Sequence, residues 1–329
     1  MIKIVVNPTA GGGSAVDHAS TLARACADAG MSVHVHVAAN REDTVRTAME
    51  TAPRGLVVAC GGDGTVHDCL QGVMRADAAS PRIAIWPVGT GNDIDRGLRL
   101  TKNSTPTEPT TAATTAATIT TTGGEPPVHS EAPAPSIDSF IDAVTDQRFR
   151  SIDVGSVDCG DAEPQYFLGV LSCGFDSDVN ERANAMPARV GKARYLLGVA
   201  RELPTVRPRW YSIDSDGEDR SMAGMVLAIG NGPAYGSGML VCPGADMADG
   251  VLDVTLVTNA PKRTFVSVLP RVYSGRHIEH PSVTAWTARQ LRIDAPDSIV
   301  YADGERIGPL PATVAVRHRA LEVLDAHHA

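Results

Sequence analysis

Residues 56–65 read Leu56-Val57-Val58-Ala59-Cys60-Gly61-Gly62-Asp63-Gly64-Thr65, and the fold turns on how they are read. The first five are apolar and β-branched enough for a buried parallel strand, and Val66, Leu70, Val73 and Met74 then recur as on one helical face. The glycine cluster is therefore a strand-to-helix turn. Its glycines let the backbone turn sharply and let a ligand approach it, and Thr65 with Asp68 has the spacing of a capping box. A helix N-terminus beside bare amides favours phosphate. Asp63 is the anomaly, because a carboxylate next to a polyphosphate is repelled unless it serves a Mg²⁺ ion or takes a proton from an attacking hydroxyl. That points to phosphoryl transfer. The competing reading is a tight turn with no ligand, and the neighbouring loops bear on the choice.

Upstream, Lys3-Ile4-Val5-Val6 reads as a first strand and Asn7-Pro8-Thr9-Ala10-Gly11-Gly12-Gly13-Ser14 as the glycine loop after it. Ala15, Ala19, Leu22 and Cys26 then fall on one helical face, with Ser14 and Asp17 at capping-box spacing. The loop lacks the Gly-Lys-Ser/Thr end of a P-loop. A second strand over 32–38 and a helix over 42–49 lead into the Leu56 strand. Downstream, the strand 82–88 ends in Gly89-Thr90-Gly91-Asn92-Asp93, a third glycine-containing loop. Alternating strands and helices predict a doubly wound parallel sheet, whose ligands sit at the carboxyl ends of its strands. Three such loops on one edge favour a nucleotide there, although Asn92 and Asp93 also suit a helix cap.

A chain of 329 residues exceeds what one ordinary core supports, so two domains are expected. No apolar run approaches the roughly 20 residues that span a bilayer, and the sequence passes from Met1 into a strand without a signal-peptide pattern. A cytoplasmic protein is the expectation. Its six cysteines are scattered without a Cys-x-x-Cys pair and read as reduced core thiols. The net charge of -9 argues against nonspecific nucleic-acid binding.

Residues 101–135 are dominated by threonine, alanine and proline and have too little apolar content to offset their ordering entropy, so a disordered surface insertion is predicted. Ile137, Phe140, Ile141 and Val144 mark a short amphipathic helix. Beyond Arg150 strand-like runs predominate, at 151–157, 165–173, 210–214, 223–229, 252–257, 290–293 and 313–316, broken by Gly, Pro and Asp turns. The predicted organisation is an α/β domain over 1–100 plus 136–149 and a β-sandwich-like domain over 150–329.

With Asp303-Gly304-Glu305 added, these loops resemble the diacylglycerol kinase catalytic-domain family, especially its soluble bacterial-type lipid kinases. Gly174-Phe175-Asp176, the stretch from Asn231-Gly232 to Gly238, Pro243-Gly244-Ala245-Asp246 and Asp249-Gly250-Val251-Leu252-Asp253 are also family-like, so the resemblance covers nearly all but the threonine-rich insertion. It implies ATP as donor, Mg²⁺, and a lipid hydroxyl as acceptor, met at a membrane surface by a peripheral protein; a homodimer is compatible with it. Asn7, Gly11, Gly12 and Gly13 would approach the nucleotide, Gly61, Gly62, Gly64 and Thr65 the phosphates, and Thr90 and Asn92 the same cleft. Asp303 resembles the proposed base, with Glu305 orienting it or holding Mg²⁺, while in related sphingosine kinases the acid matching Asp63 is the favoured base. Asp246, Asp249 and Asp253 would anchor a structural Mg²⁺, or else make turn and strand-end contacts. Taken alone, Asp303-Gly304-Glu305 reads as a hairpin turn after Ser298-Ile299-Val300-Tyr301.

Two departures stand out. After Thr65 the family usually has Asn-Glu where this chain has His67-Asp68, and the first loop lacks the usual Ser-Gly-Lys/Arg ending. His67 itself reads as a helix-surface residue. An NAD kinase, which shares Gly-Gly-Asp-Gly, and a nucleotide-binding regulator that has lost activity are the rival readings. A basic stretch, with Arg182, Arg189, Lys192, Arg194, Arg201, Arg207 and Arg209 against Glu202, reads either as a solvated helical face or as a membrane-docking face.

Overall fold

A computed structural model describes residues 1–89, 91–101, 134–160, 163–184, 201–204, 206–258 and 261–327. Thr90, most of the threonine-rich insertion and the middle of the basic stretch, including Arg189, Lys192 and Arg194, lie outside them.

The first domain follows the predicted alternation. Strands β1 (Ile2–Val6), β2 (Val33–Val37), β3 (Leu56–Gly61) and β4 (Arg82–Pro87) run parallel in the order β2-β1-β3-β4. Because β1 is flanked by β2 and β3, the strand order reverses there, and the loops after β1, β3 and β4 lie side by side at the carboxyl edge. Alternation along β3 feeds two cores. Val58 and Cys60 pack with Ala19 and Leu22 of α1 (Ala15–Asp28) and Phe140 of α5 (Ile137–Thr145). Val57 and Ala59 pack with Ala48 of α2 (Arg41–Thr51), Leu70 of α3 (Asp63–Arg75) and Leu98 of α4 (Asp93–Leu100). Burial on both faces is why β3 is apolar throughout.

The second domain is antiparallel. β7 (Val170–Gly174) lies between β10 (Met222–Gly230) and β14 (Ile299–Ala302), which turns into β15 (Glu305–Pro309). β10 also pairs with β8 (Arg209–Ser215), which is edged by the short β9 (Glu218–Asp219), and with β11 (Leu252–Thr258), and β12 (Val283–Ala288) pairs with β11. β13 (Gln290–Asp294) joins β8 to the long β16 (Ala312–Leu324), which pairs with β5 (Phe149–Asp158), itself edged by β6 (Gln165–Phe167). Helix α6 (Phe175–Asn184) follows β7, and α7 (Lys262–Val272) follows β11. These two helices and β12 were not expected from the residue pattern.

β16 also does what a terminal sandwich strand need not: its end pairs in parallel with β4 at Glu322 and Val323, extending the first domain's sheet. Its register breaks between Arg317 and Leu321. The fully buried Asp153 carboxylate pins that break, accepting from Arg319 N and His318 Nδ1 at 2.7 Å each and from Gly250 N at 2.6 Å. All six cysteines are free, as expected. No described helix is long and apolar enough to cross a membrane.

Candidate active site

The loop after β1 carries three successive left-handed glycines, Gly11, Gly12 and Gly13. A Cβ added at Gly12 or Gly13 would meet nothing within 4 Å, so the loop is a bare backbone cradle that side chains would fill. Asn7 shapes it, its Oδ1 accepting from Thr9 N at 3.0 Å and Thr9 Oγ1 at 2.8 Å. The loops after β3 and β4 touch through glycine backbone, since a Cβ at Gly89 would fall 2.5 Å from the Gly62 Cα. Asn92, itself left-handed, donates through Nδ2 to Gly89 O at 2.9 Å, and its buried Oδ1 has no hydrogen-bond partner among the described residues. This open cradle and its orphaned acceptor fit a nucleotide.

Neither predicted capping box forms. Helix α3 begins at Asp63 with Gly62 as N-cap and no side-chain cap, and the Ser14 hydroxyl donates to Gly11 O instead of capping α1. The earlier start of α3 makes Asp63 its first residue, where the helix dipole favours negative charge, and leaves Thr65 inside the first turn instead of at the cap. Thr65 is buried against Gly61.

Asp63 accepts from Ile94 N at 3.1 Å, and no Lys or Arg among the described residues pairs with it. Burial pushes its carboxyl up to about 6; amide donors from Ile94 and Asp93 oppose that shift, and the charges of Asp93 and Asp303 add to it. Asp93 is held in turn by Arg96 at 2.6 Å and by Ser237 N at 2.7 Å, which ties the β4 loop to the second domain.

Asp303 and Gly304, both at positive φ, form a two-residue hairpin tip between β14 and β15, as the Asp-Gly pair predicts. The turn delivers the carboxylate into the cleft. Its Oδ1 accepts from Gly169 N at 2.8 Å and its Oδ2 from Leu168 N at 3.0 Å. Asp63 and Asp303 thus line one cavity of about 320 Å³ with Gly91, Gly169, Tyr235 and Ser237. Glu305 is turned away from Asp303 toward the first domain: Arg41 donates to its Oε2 at 2.9 Å and also lies 2.8 Å from Asp68. Gly64 permits that approach, since a Cβ there would sit 3.3 Å from Glu305 Oε1. Burial pushes Asp68 up to about 6 against the pull of Arg41.

His67 is not on the surface. It is fully buried between the domains, with Nδ1 3.4 Å from Asp303 Oδ2 and Nε2 3.3 Å from Gln71 Nε2. Residue-pattern reasoning missed it because the helix face it occupies meets another domain, not water. Arg41, Gln71, and the backbone of Leu168 and Gly169 were missed for the same reason, with no local motif to mark them.

The three carboxylates expected to hold a structural Mg²⁺ lie near enough for their charges to act on one another, and two of them also make local turn contacts. Asp246 Oδ1 accepts from Ala248 N at 3.2 Å and Asp249 Oδ1 from Val251 N at 3.1 Å, so these carboxylates stabilise their own turns. Among the described residues no three His, Cys, Asp or Glu side chains converge in an arrangement that could hold a metal ion. Asp253 is pushed up to about 7, by burial first and then by the charges of Asp249 and Asp246. In the basic stretch, Arg182 contacts Glu202 at 2.5 Å and Arg209 contacts Asp178 at 2.9 Å, so these two cations are neutralised locally.

An α/β sheet with glycine loops along its carboxyl edge, closed by a sandwich that inserts a second carboxylate, is an arrangement that fits a nucleotide-dependent phosphotransferase. Residues 1–123 match the model of the diacylglycerol kinase catalytic domain, and residues 169–325 that of the YegS C-terminal NAD kinase beta sandwich-like domain. The chain is 30% identical over 331 residues to the diacylglycerol kinase of Mycobacterium tuberculosis, covering 99% of this chain and 96% of that protein. It is 23% identical over 326 residues to the diacylglycerol kinase of Bacillus subtilis, covering 98% and 95%. The crystal structure of a diacylglycerol kinase from Bacillus anthracis shares the fold, with a TM-score of 0.66 at 19% identity over 98% of this chain and 96% of that one. The chain belongs to the diacylglycerol kinase family of lipid kinases.

Proposed function

We propose that this enzyme transfers the γ-phosphate of ATP to the hydroxyl of a neutral lipid, diacylglycerol or a similar lipid alcohol. The observation that carries this reading is Tyr235, which lines the two-carboxylate cavity and also a second cavity of about 430 Å³. That second space is walled by Phe175, Val226, Met239, Val241, Val257 and Val272. It is within the size range of small-ligand pockets and suits an acyl chain whose hydroxyl end lies at Asp63 and Asp303. A polar dinucleotide acceptor would leave it unused.

In this reading the β1 loop and the N-terminus of α3 receive the phosphates through backbone amides. Asp303 is the general base. Two backbone amides fix its carboxylate, which keeps a lone pair for the lipid hydroxyl; as the hydroxyl oxygen bonds to the γ-phosphorus, its proton passes to Asp303 and ADP leaves. Asp63, a buried carboxylate with no cationic partner among the described residues, fits Mg²⁺, since that ion is held by one or two carboxylates together with substrate phosphates. When bound, Mg²⁺ would neutralise charge developing on the transferred phosphoryl group. Arg41 pairs with both Asp68 and Glu305, limiting the repulsion that these two acids would exert on ATP. The enzyme would meet its lipid at a membrane surface as a peripheral protein of the cytoplasm.

The test is transfer of labelled γ-phosphate from ATP to diacylglycerol in mixed micelles, with other lipid alcohols and NAD⁺ as parallel acceptors. Labelled lipid is the expected product. Label on NAD⁺ alone would replace the reading with the NAD kinase one, and bound ATP without any turnover would favour a regulator.

A further inference from the structure

Among the groups around the two-carboxylate cavity, His67 is the one with a buried, directional contact to the catalytic hairpin that the reaction as described leaves unused. We propose that His67 is a positioning residue for Asp303: its Nδ1–H, fixed by Gln71, holds Oδ2 and leaves Oδ1 to take the proton. The inference rests on the lipid-kinase reading and adds to it a residue from the other domain.

The network's polarity can be worked out one hydrogen at a time. Tyr166 N donates to Gln71 Oε1 at 3.0 Å, and Gln71 Nε2 donates to Tyr166 O at 2.7 Å, so both ends of the Gln71 amide are assigned by backbone. Its second Nε2 hydrogen faces His67 Nε2 at 3.3 Å and His67 O at 3.4 Å. A donor facing Nε2 requires that nitrogen to accept, which leaves the ring hydrogen on Nδ1, the nitrogen facing Asp303 Oδ2.

The consequence falls on one oxygen of Asp303. Among the described residues, Oδ2 receives Leu168 N and His67 Nδ1, whereas Oδ1 receives only Gly169 N, and Gly169 lines the cavity beside Asp303. Oδ1 is therefore the less committed oxygen. The His67 contact, at 3.4 Å, is long for a hydrogen bond, and contacts of this kind commonly tighten once substrates are bound. His67 also lies one turn beyond Asp63 on α3, so phosphate binding at the helix N-terminus and the placing of the base at the hairpin are mechanically linked.

Two replacements separate this role from packing. His67→Phe fills the site but removes the donor, whereas His67→Asn puts an amide N–H close to the former Nδ1. Misplacement of a reacting group costs on the order of 100-fold. His67→Phe should therefore lower kcat on diacylglycerol by about that factor with both KM values within about threefold, and His67→Asn should recover kcat to within about fivefold of wild type. Equal kcat in the two variants, whether high or low, would overturn the proposal.

A second measurement, of the tautomer itself, does not depend on which acceptor is used. In ¹⁵N-histidine-labelled protein, the ring signal lost in His67→Asn should show the Nδ1–H tautomer; an Nε2–H tautomer would overturn the assignment. Should the wild type phosphorylate no lipid, the lipid-kinase reading fails, and the tautomer still decides the contact.

Discussion

Arg41 of α2 donates to Glu305 Oε2 at 2.9 Å across the cleft, while its Nε lies 2.8 Å from Asp68. One guanidinium thus joins the first domain to the hairpin that carries Asp303. The pair is partly exposed, so its contribution to stability is under about 1 kcal/mol. Its electrostatic role is larger, because removing it leaves two acids beside the glycine turn that starts α3. Arg41→Gln should raise KM for ATP by about tenfold, the kinetic equivalent of roughly 1.4 kcal/mol, with little change in Tm. Steady-state kinetics with a thermal melt checks it, and an unchanged KM would remove Arg41 from the electrostatics of the site.

Asp63 carries a pH-dependent stability cost in the folded state. Its folded carboxyl is raised to about 6, so the folded state holds the proton more tightly than the unfolded chain does. No penalty exists below the unfolded value near 4; it develops as pH rises toward 6 and is complete above it. Asp63→Asn should therefore stabilise the metal-free protein by about 2 kcal/mol at pH 8 and by nothing at pH 4, while abolishing lipid phosphorylation. Denaturant melts at the two pH values test the sign, and equal effects at both would refute it.

Replacing Asp303 should damage both folding and catalysis. In Asp303→Asn an amide NH₂ would face Leu168 N or Gly169 N, two donors in opposition, at a cost of about 1 to 3 kcal/mol. Loss of the base should lower kcat by about 10² to 10⁴ while ATP still binds. A variant that melts lower, binds ATP and turns over normally would separate the hydrogen-bonding role from the chemical one.

The apolar cavity makes a chain-length prediction. Ala228 is buried on its wall, and Ala228→Leu extends a side chain into the space. Long-chain diacylglycerol should lose about tenfold in kcat/KM, while a short-chain analogue should change little, since a methylene-scale mismatch is worth about 1 to 3 kcal/mol. Equal losses for both would place the acyl chain elsewhere.

Much of the site was written in local order. Gly11 to Gly13, Gly61 to Thr65 and Asp303-Gly304 impose their turns through glycine and Asp-Gly backbone preferences that need no distant partner. The β3 strand and the alternation around it likewise follow from period and burial. The capping boxes failed because Gly62 starts α3 earlier than side-chain spacing suggests. α6, α7 and β12 carried too weak a pattern to be separated from the turns around them.

By itself the sequence determined that three glycine loops share one sheet edge and that an Asp-Gly tip follows in a β-rich region, since both are consequences of short-range sterics and hydrophobic period. Only the tertiary structure decided which side chains meet in the cleft. Strand β16 returns to pair with β4, and the hairpin tip reaches His67, so a histidine read as a surface residue is fully buried against Asp303. Arg41 lies 264 positions from its partner Glu305. Contacts of that separation depend on how two packed domains are placed, and no local periodicity encodes that placement.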